Sequence, residues 1–122
     1  MPDRPQNRAL IVAYVRPNAK PEVAQIFAES DAGSLPRVLG VTERSLYYMP
    51  EPSGVEVARG DLYVHLVEFD RPVDEAMAAA SQHPGFAEIS ERLRPHISPY
   101  DPNWRSPRDA VARLFYTYRG TG

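Results

Sequence analysis

Asp61-Leu62-Tyr63-Val64-His65-Leu66-Val67-Glu68-Phe69 carries β-branched, aliphatic and aromatic residues with no proline or glycine, and reads as a strand. One titratable ring, His65, stands in its middle. Whichever face the ring takes, its neighbours predict at least partial burial. On the N-terminal side, Val41 to Tyr48 has the same character, and Met49 to Gly60 between them holds two prolines and two glycines. The pair is therefore predicted to be a hairpin with a long tip.

Further out, Ala9 to Val15 is apolar on both alternating faces and reads as a first strand that needs cover on both sides. Pro17 stops it. Val23, Ile26, Phe27, Ser30 and Asp31 then recur at helical spacing, with Gly33 as the stop, so Ser30 and Asp31 share the inward stripe with apolar residues. Beyond the hairpin, a helix is predicted from Pro72 through Asp74, Glu75, Ala76, Met77 and Ala80, with a break at His83-Pro84-Gly85. A second helical piece follows, with Phe86, Ile89, Leu93 and Ile97 on its apolar face. Pro95, Pro99, Pro102 and Pro107 mark an irregular crossing that Tyr100 and Trp104 are expected to anchor. Arg108 to Tyr118 fits helix or strand, and is taken as a final strand entered through a short helical turn.

The resulting order, β-α-β-β-α-β, is that of a ferredoxin-like α+β domain with an antiparallel sheet. A domain over residues 8–122 with a loose tail at 1–7 is expected. Helices cover only one face of such a sheet, so the apolar outer face of the first strand predicts a homodimer.

Composition excludes several function classes. There is no cysteine, hence no disulfide, no thiol nucleophile and no Cys-based zinc site. The 14 Lys and Arg are scattered among 16 acidic residues, for a net charge of -2, which argues against nucleic acid. No apolar run approaches membrane-spanning length and no signal peptide is apparent, so a cytoplasmic protein with no membrane partner is expected. Phosphate loops, nucleophile elbows and metal-binding histidine pairs are absent, and no cofactor or metal is expected.

What remains is a set of polar residues where apolar ones are expected. His65, titrating near neutrality, could give or accept protons; the other reading is a core histidine satisfied by a backbone carbonyl or a dimer contact. Asp31 sits at the negative end of the first helix on an inward stripe, which would raise its pKa toward a useful base; otherwise it is a solvated aspartate beside a glycine. Arg44 offers a planar fork of donors for an enolate or phenolate oxygen, or is an edge-strand charge. Ser30 could hydrogen-bond a ligand carbonyl or its own helix. Tyr14, Tyr47, Tyr48 and Tyr63, with Phe27, could line an aromatic pocket or fill the core. His83 and His96 read as capping or exposed residues.

The stretches Arg8-Ala9-Leu10-Ile11-Val12, Phe27-Ala28-Glu29-Ser30-Asp31, Leu35-Pro36, Gly40-Val41, Arg44-Ser45-Leu46-Tyr47, Asp61 to Glu68, His83-Pro84-Gly85-Phe86, Pro99-Tyr100 and Ser106 to Ala110 have a familiar order and spacing. Together the chain resembles the small polyketide cyclases of the tetracenomycin F2 cyclase type. The resemblance implies a dimeric ferredoxin-like, barrel-like assembly with a pocket for a polyphenolic or poly-β-ketone intermediate. It also implies an intramolecular aldol closure followed by dehydration and aromatisation, with Asp31, Arg44 and His65 as site residues and partner cyclases in the pathway. Ser30 stands where that family has a histidine. A cofactor-independent monooxygenase converting anthrone to quinone, and a non-catalytic polyketide-binding subunit, are the competing readings.

Overall fold

The computed structural model describes residues 7–103, 107–118 and 120. The elements run β1 (Arg8–Val15), α1 (Lys20–Asp31), α2 (Leu35–Leu39), β2 (Val41–Met49), β3 (Asp61–Phe69), α3 (Val73–Ser81), α4 (Pro84–Leu93) and β4 (Ile97–Pro99), followed by a 3₁₀ turn at Pro107–Ala110. The four strands are antiparallel in the order β2-β3-β1-β4. This is the ferredoxin-like arrangement, α+β as expected.

Register assigns the faces. His65 lies opposite Ile11 on β1 and Leu46 on β2, and Tyr63 opposite Ala13 and Tyr48. Because side chains alternate, Ala9, Ala13 and Val15 join Arg44, Leu46, Tyr63, His65 and Val67 on the face under the helices. There Val15, Val23, Ile26, Phe27, Tyr63 and Ile89 form one buried cluster, and Ala9, Leu35, Leu39, Val67, Phe69, Ala76 and Ala80 a second. The opposite face carries Leu10 against Leu66, Val12 against Val64 and Tyr14 against Leu62. No helix covers it: Leu10 is 42% exposed, and Tyr47 and Met49 at its margin 58% and 63%.

The final strand differs from the sequence reading. β4 is Ile97–Pro99, paired with Ala13–Val15, and Ile97 thus belongs to the sheet, not to the preceding helix. Proline is tolerated there because β4 is an edge. The 3₁₀ turn then leads to a single bridge, Val111 to Ile11, and Ala112 N–H donates to Leu10 O at 2.7 Å. Two short segments thus share the edge of β1 expected to hold one long strand, and residues 112–118 are exposed and outside any named strand. Trp104 lies outside the described residues. The sequence reading also missed α2, a single short helix closed by Gly40 in the left-handed conformation.

The 49–60 segment is the long hairpin tip expected. Glu51 Oε2 accepts from Arg59 N and Gly60 N at 2.7 and 3.2 Å, and Glu51 N donates to Asp61 Oδ1 at 3.0 Å. Gly60 sits at φ 102°, where a Cβ would come within 2.7 Å of Val15 O. Only glycine lets the tip rejoin β3 so close to the end of β1.

Candidate active site

α1 lies along the inner face beside the β2 edge. Lys20, Val23, Phe27 and Asp31 fall at i, i+3, i+7 and i+11, one stripe of the helix, while Arg44, Leu46 and Tyr48 alternate onto the same face of β2. The two rows meet side chain to side chain. At one end Arg44 Nε donates to both Asp31 oxygens at 3.1 Å, and its Nη2 approaches Oδ1 at 3.0 Å. Arg44 Nη1 reaches His65 Nε2 at 2.9 Å, and the guanidinium carbon lies 5.0 Å from the centre of the Phe27 ring. Phe27 meets the imidazole edge-on at 5.0 Å, and Tyr63 flanks it at 6.2 Å.

The trio therefore converges, with Arg44 as the bridge. Guanidinium is always a donor, so His65 Nε2 accepts, and the ring is the neutral tautomer with its proton on Nδ1. Burial, reinforced by the adjacent Arg44 charge, pushes the His65 pKa down to about 3. This corrects the expectation of a histidine titrating near neutrality: an imidazolium cannot coexist cheaply with a buried guanidinium 2.9 Å away. Asp31 is corrected as well. Its side chain is 37% exposed, not buried on the stripe, and meets the more buried Arg44 from the surface side. The Tyr63 phenol is 5% exposed, and burial pushes its pKa above the usual range, so it is a neutral hydroxyl.

Next to the trio, a hollow of about 580 Å³ runs between α1 and the β2 edge, lined mainly by Val15, Val23, Leu46, Tyr47, Tyr48 and Tyr63. Its wall is predominantly apolar. Leu46, the cross-strand partner of His65, and Tyr63 join the hollow to the trio. At the far end Lys20 Nζ donates to Asp61 Oδ2 at 2.7 Å and to Pro17 O at 2.8 Å, and sits 4.2 Å from the centre of the Tyr48 ring. The Lys20 contact, with the Glu51 N–H, holds the Asp61 carboxyl below its ordinary pKa.

Of the other residues named from sequence, Phe27 and Tyr63 reach this region, and Tyr47 and Tyr48 line the hollow. Ser30 does not join them: it opens onto a separate cleft of about 340 Å³ with Ser34, His83, Glu88 and Arg92. Tyr14 lies on the opposite face of the sheet, stacked on Tyr100 and approached by Arg59. A one-residue parity step separates it from Ala13 and Val15, which face the helices. His83 caps α4, its Nδ1 accepting from Gly85 N at 2.9 Å, as expected of a capping residue. Among the described residues no cluster of three or more metal-ligating side chains is present, and no helix is long and apolar enough to cross a membrane. Lys20 and Asp61 escaped sequence reasoning. A lysine at a helix start and an aspartate at a strand start, 41 residues apart, carry no local sign of meeting.

A family model described as polyketide synthesis cyclase matches residues 7–119. An uncharacterized protein of Streptomyces coelicolor is 43% identical over 116 residues, 94% of this chain and 96% of that one. Polyketide synthase CurG of Streptomyces cyaneus is 40% identical over 111 residues, 90% of this chain and 94% of the relative. Tetracenomycin F2 cyclase of Streptomyces glaucescens is 35% identical over 111 residues, 91% and 93% of the two chains. The solved structure of that cyclase, described as a type-II polyketide cyclase, superposes with a TM-score of 0.76 at 34% identity, covering 94% of this chain and 99% of the other.

Proposed function

The chain belongs to the polyketide synthesis cyclase family, and from that premise we propose that it closes a ring of a type II polyketide intermediate by intramolecular aldol condensation, then dehydration and aromatisation, without a cofactor. The observation that carries this reading is Arg44, held by Asp31 on one side and His65 on the other beside an apolar hollow.

The chemistry suits that arrangement. Methylene protons between two carbonyls are already acidic, so the larger task is to fold the chain until the right carbon meets the right carbonyl. An apolar, aromatic hollow favours a flat folded ligand that displaces water from its walls. Arg44 offers its fork to the enolate oxygen, where charge develops as the methylene proton leaves. His65, neutral and carrying its proton on Nδ1, fixes the guanidinium through Nε2. As the guanidinium turns from His65 Nε2 to the growing charge on the substrate oxygen, the freed Nε2 lone pair takes the methylene proton, and the imidazolium returns it to the hydroxyl that leaves as water. Asp31, at the surface, anchors the other edge of the fork and passes protons to solvent. Tyr63 and Phe27 hold the ligand plane, and Ser30 in its neighbouring cleft meets only a ligand that extends past Asp31.

The bare sheet face supports a homodimer. Leu10, Val12, Val64 and Leu66 form an apolar band, and a second copy supplies matching cover. Other cyclases of the same pathway are the further partners this reading implies.

Co-expression with a minimal type II polyketide synthase tests the function. With the wild-type chain present, products shift toward one defined ring pattern. An unchanged mixture of spontaneously cyclised products would overturn the reading.

A further inference from the structure

Lys20 is the one charged side chain among the residues that line the hollow. Its ammonium has three donors, of which Asp61 Oδ2 and Pro17 O take two, and the described residues offer no oxygen to the third. Asp61 is itself occupied, one oxygen on Lys20 and the other on Glu51 N–H, so it fixes the ammonium rather than facing the hollow. The Tyr48 ring, 4.2 Å from Nζ, holds it from another side. A flexible side chain is thereby held in place, with 30% of its surface exposed.

The distance to the trio is set twice over. Lys20 and Asp31 open and close α1 on one stripe, about 16 Å apart at the helical rise. On β2, Tyr48 beside Lys20 and Arg44 beside Asp31 are roughly 13 Å apart at the strand rise. One cation, Lys20, thus lines the apolar hollow, and a second, Arg44, stands beyond Leu46 and Tyr63, which join the hollow to the trio. A few fixed polar groups in an apolar site determine how a ligand lies in it.

We infer that Lys20, positioned by Asp61, is a specificity residue that receives an acidic oxygen, a carboxylate or ionised phenol, at the end of an elongated polycyclic ligand remote from Arg44. The inference rests on the cyclase reading and adds to it the polarity of the bound substrate: the acidic end lies at Lys20 and the reacting end at Arg44. Charge-assisted hydrogen bonds from a fixed donor discriminate between ligands, because one that lacks the oxygen leaves the third ammonium donor to solvent.

Three planar probes read this directly by fluorescence titration at neutral pH: anthraquinone-2-carboxylate, 2-hydroxyanthraquinone and 2-methylanthraquinone. The wild-type chain is expected to bind the carboxylate about tenfold or more tightly than the methyl compound. Lys20→Met removes that preference and leaves methyl-probe affinity in place, whereas Lys20→Arg keeps it. Tight binding of the hydroxy probe only above the pH at which it ionises identifies a phenolate as an accepted source. Because Lys20→Met leaves Asp61 without its cation, the charge-matched pair Lys20→Met with Asp61→Asn is titrated alongside. Equal wild-type affinity for the carboxylate and methyl probes, no binding of any probe, or a preference surviving in Lys20→Met and in its pair with Asp61→Asn overturns the inference. A chain that steers ring closure on co-expression yet shows no carboxylate preference defeats the Lys20 assignment alone; failure to steer defeats the reading beneath it.

Discussion

Arg44 Nη1 donates to His65 Nε2 over 2.9 Å, so a permanently charged fork and a buried imidazole share one proton-poor contact. That contact sets the tautomer of the ring, and burial, reinforced by the Arg44 charge, makes the ring resist protonation.

Stability should record that resistance. Burial and Arg44 lower the His65 pKa from 6.5 to about 3, so on acidification the unfolded chain takes up a proton that the folded chain refuses. The stabilisation is complete above the unfolded value near 6.5 and is lost as pH falls from there toward 3, at up to ~1.4 kcal/mol per pH unit. Urea unfolding between pH 7 and 4 measures the slope; His65→Gln, which keeps an acceptor for Arg44, should flatten it. A wild-type slope unchanged by the substitution would mean that His65 protonates freely in the folded state.

Activity and stability should separate at the Asp31–Arg44 pair. With a third of the Asp31 side chain in water, Asp31→Asn should cost under ~1 kcal/mol in urea unfolding, yet lower turnover about tenfold through a loosened fork. Arg44→Met should lower turnover by about 100-fold, the loss expected when a donor to a developing oxyanion is removed. Arg44→Lys should restore only part, since a point ammonium cannot span both Asp31 and His65. Turnover of the Met variant equal to wild type would remove Arg44 from the chemistry.

Gly60→Ala tests the hairpin closure. A methyl group at φ 102°, placed 2.7 Å from Val15 O, should destabilise the fold by roughly 1–3 kcal/mol. Gly54→Ala is the comparison, at φ 86° with no atom within 4 Å of a new Cβ. Both strain the backbone, so the excess loss at Gly60, read from urea midpoints, isolates the contact with β1.

The outer sheet face predicts a change of mass. Sedimentation of the wild type should give twice 13.7 kDa. Leu66→Glu, which puts a charge at the centre of the apolar band opposite Leu10, should give the single-chain mass with an unchanged circular dichroism spectrum. A wild-type monomer would leave Leu10, Val12 and Leu66 without a covering partner.

The sequence by itself determined the local elements that rest on local physics. Strand residues between turn residues marked β1, β2 and β3. The i, i+3, i+4 pattern marked α1, and His83-Pro84-Gly85 marked the break between α3 and α4. A histidine inside an apolar strand guaranteed its burial. Tertiary structure decided whatever depends on which segments meet. Three residues ending in proline become β4 only because the edge of β1 is there to receive them, and Tyr14 leaves the site because register, which no residue states about itself, sets the parity of its strand. Arg44 is folded between Asp31 and His65: it holds the exposed Asp31 carboxylate at the mouth of the site, and its charge adds to the burial that already makes His65 resist protonation. The Lys20–Asp61 anchor has the same origin, two ordinary termini of secondary structure brought into contact by the packing of a helix on a sheet.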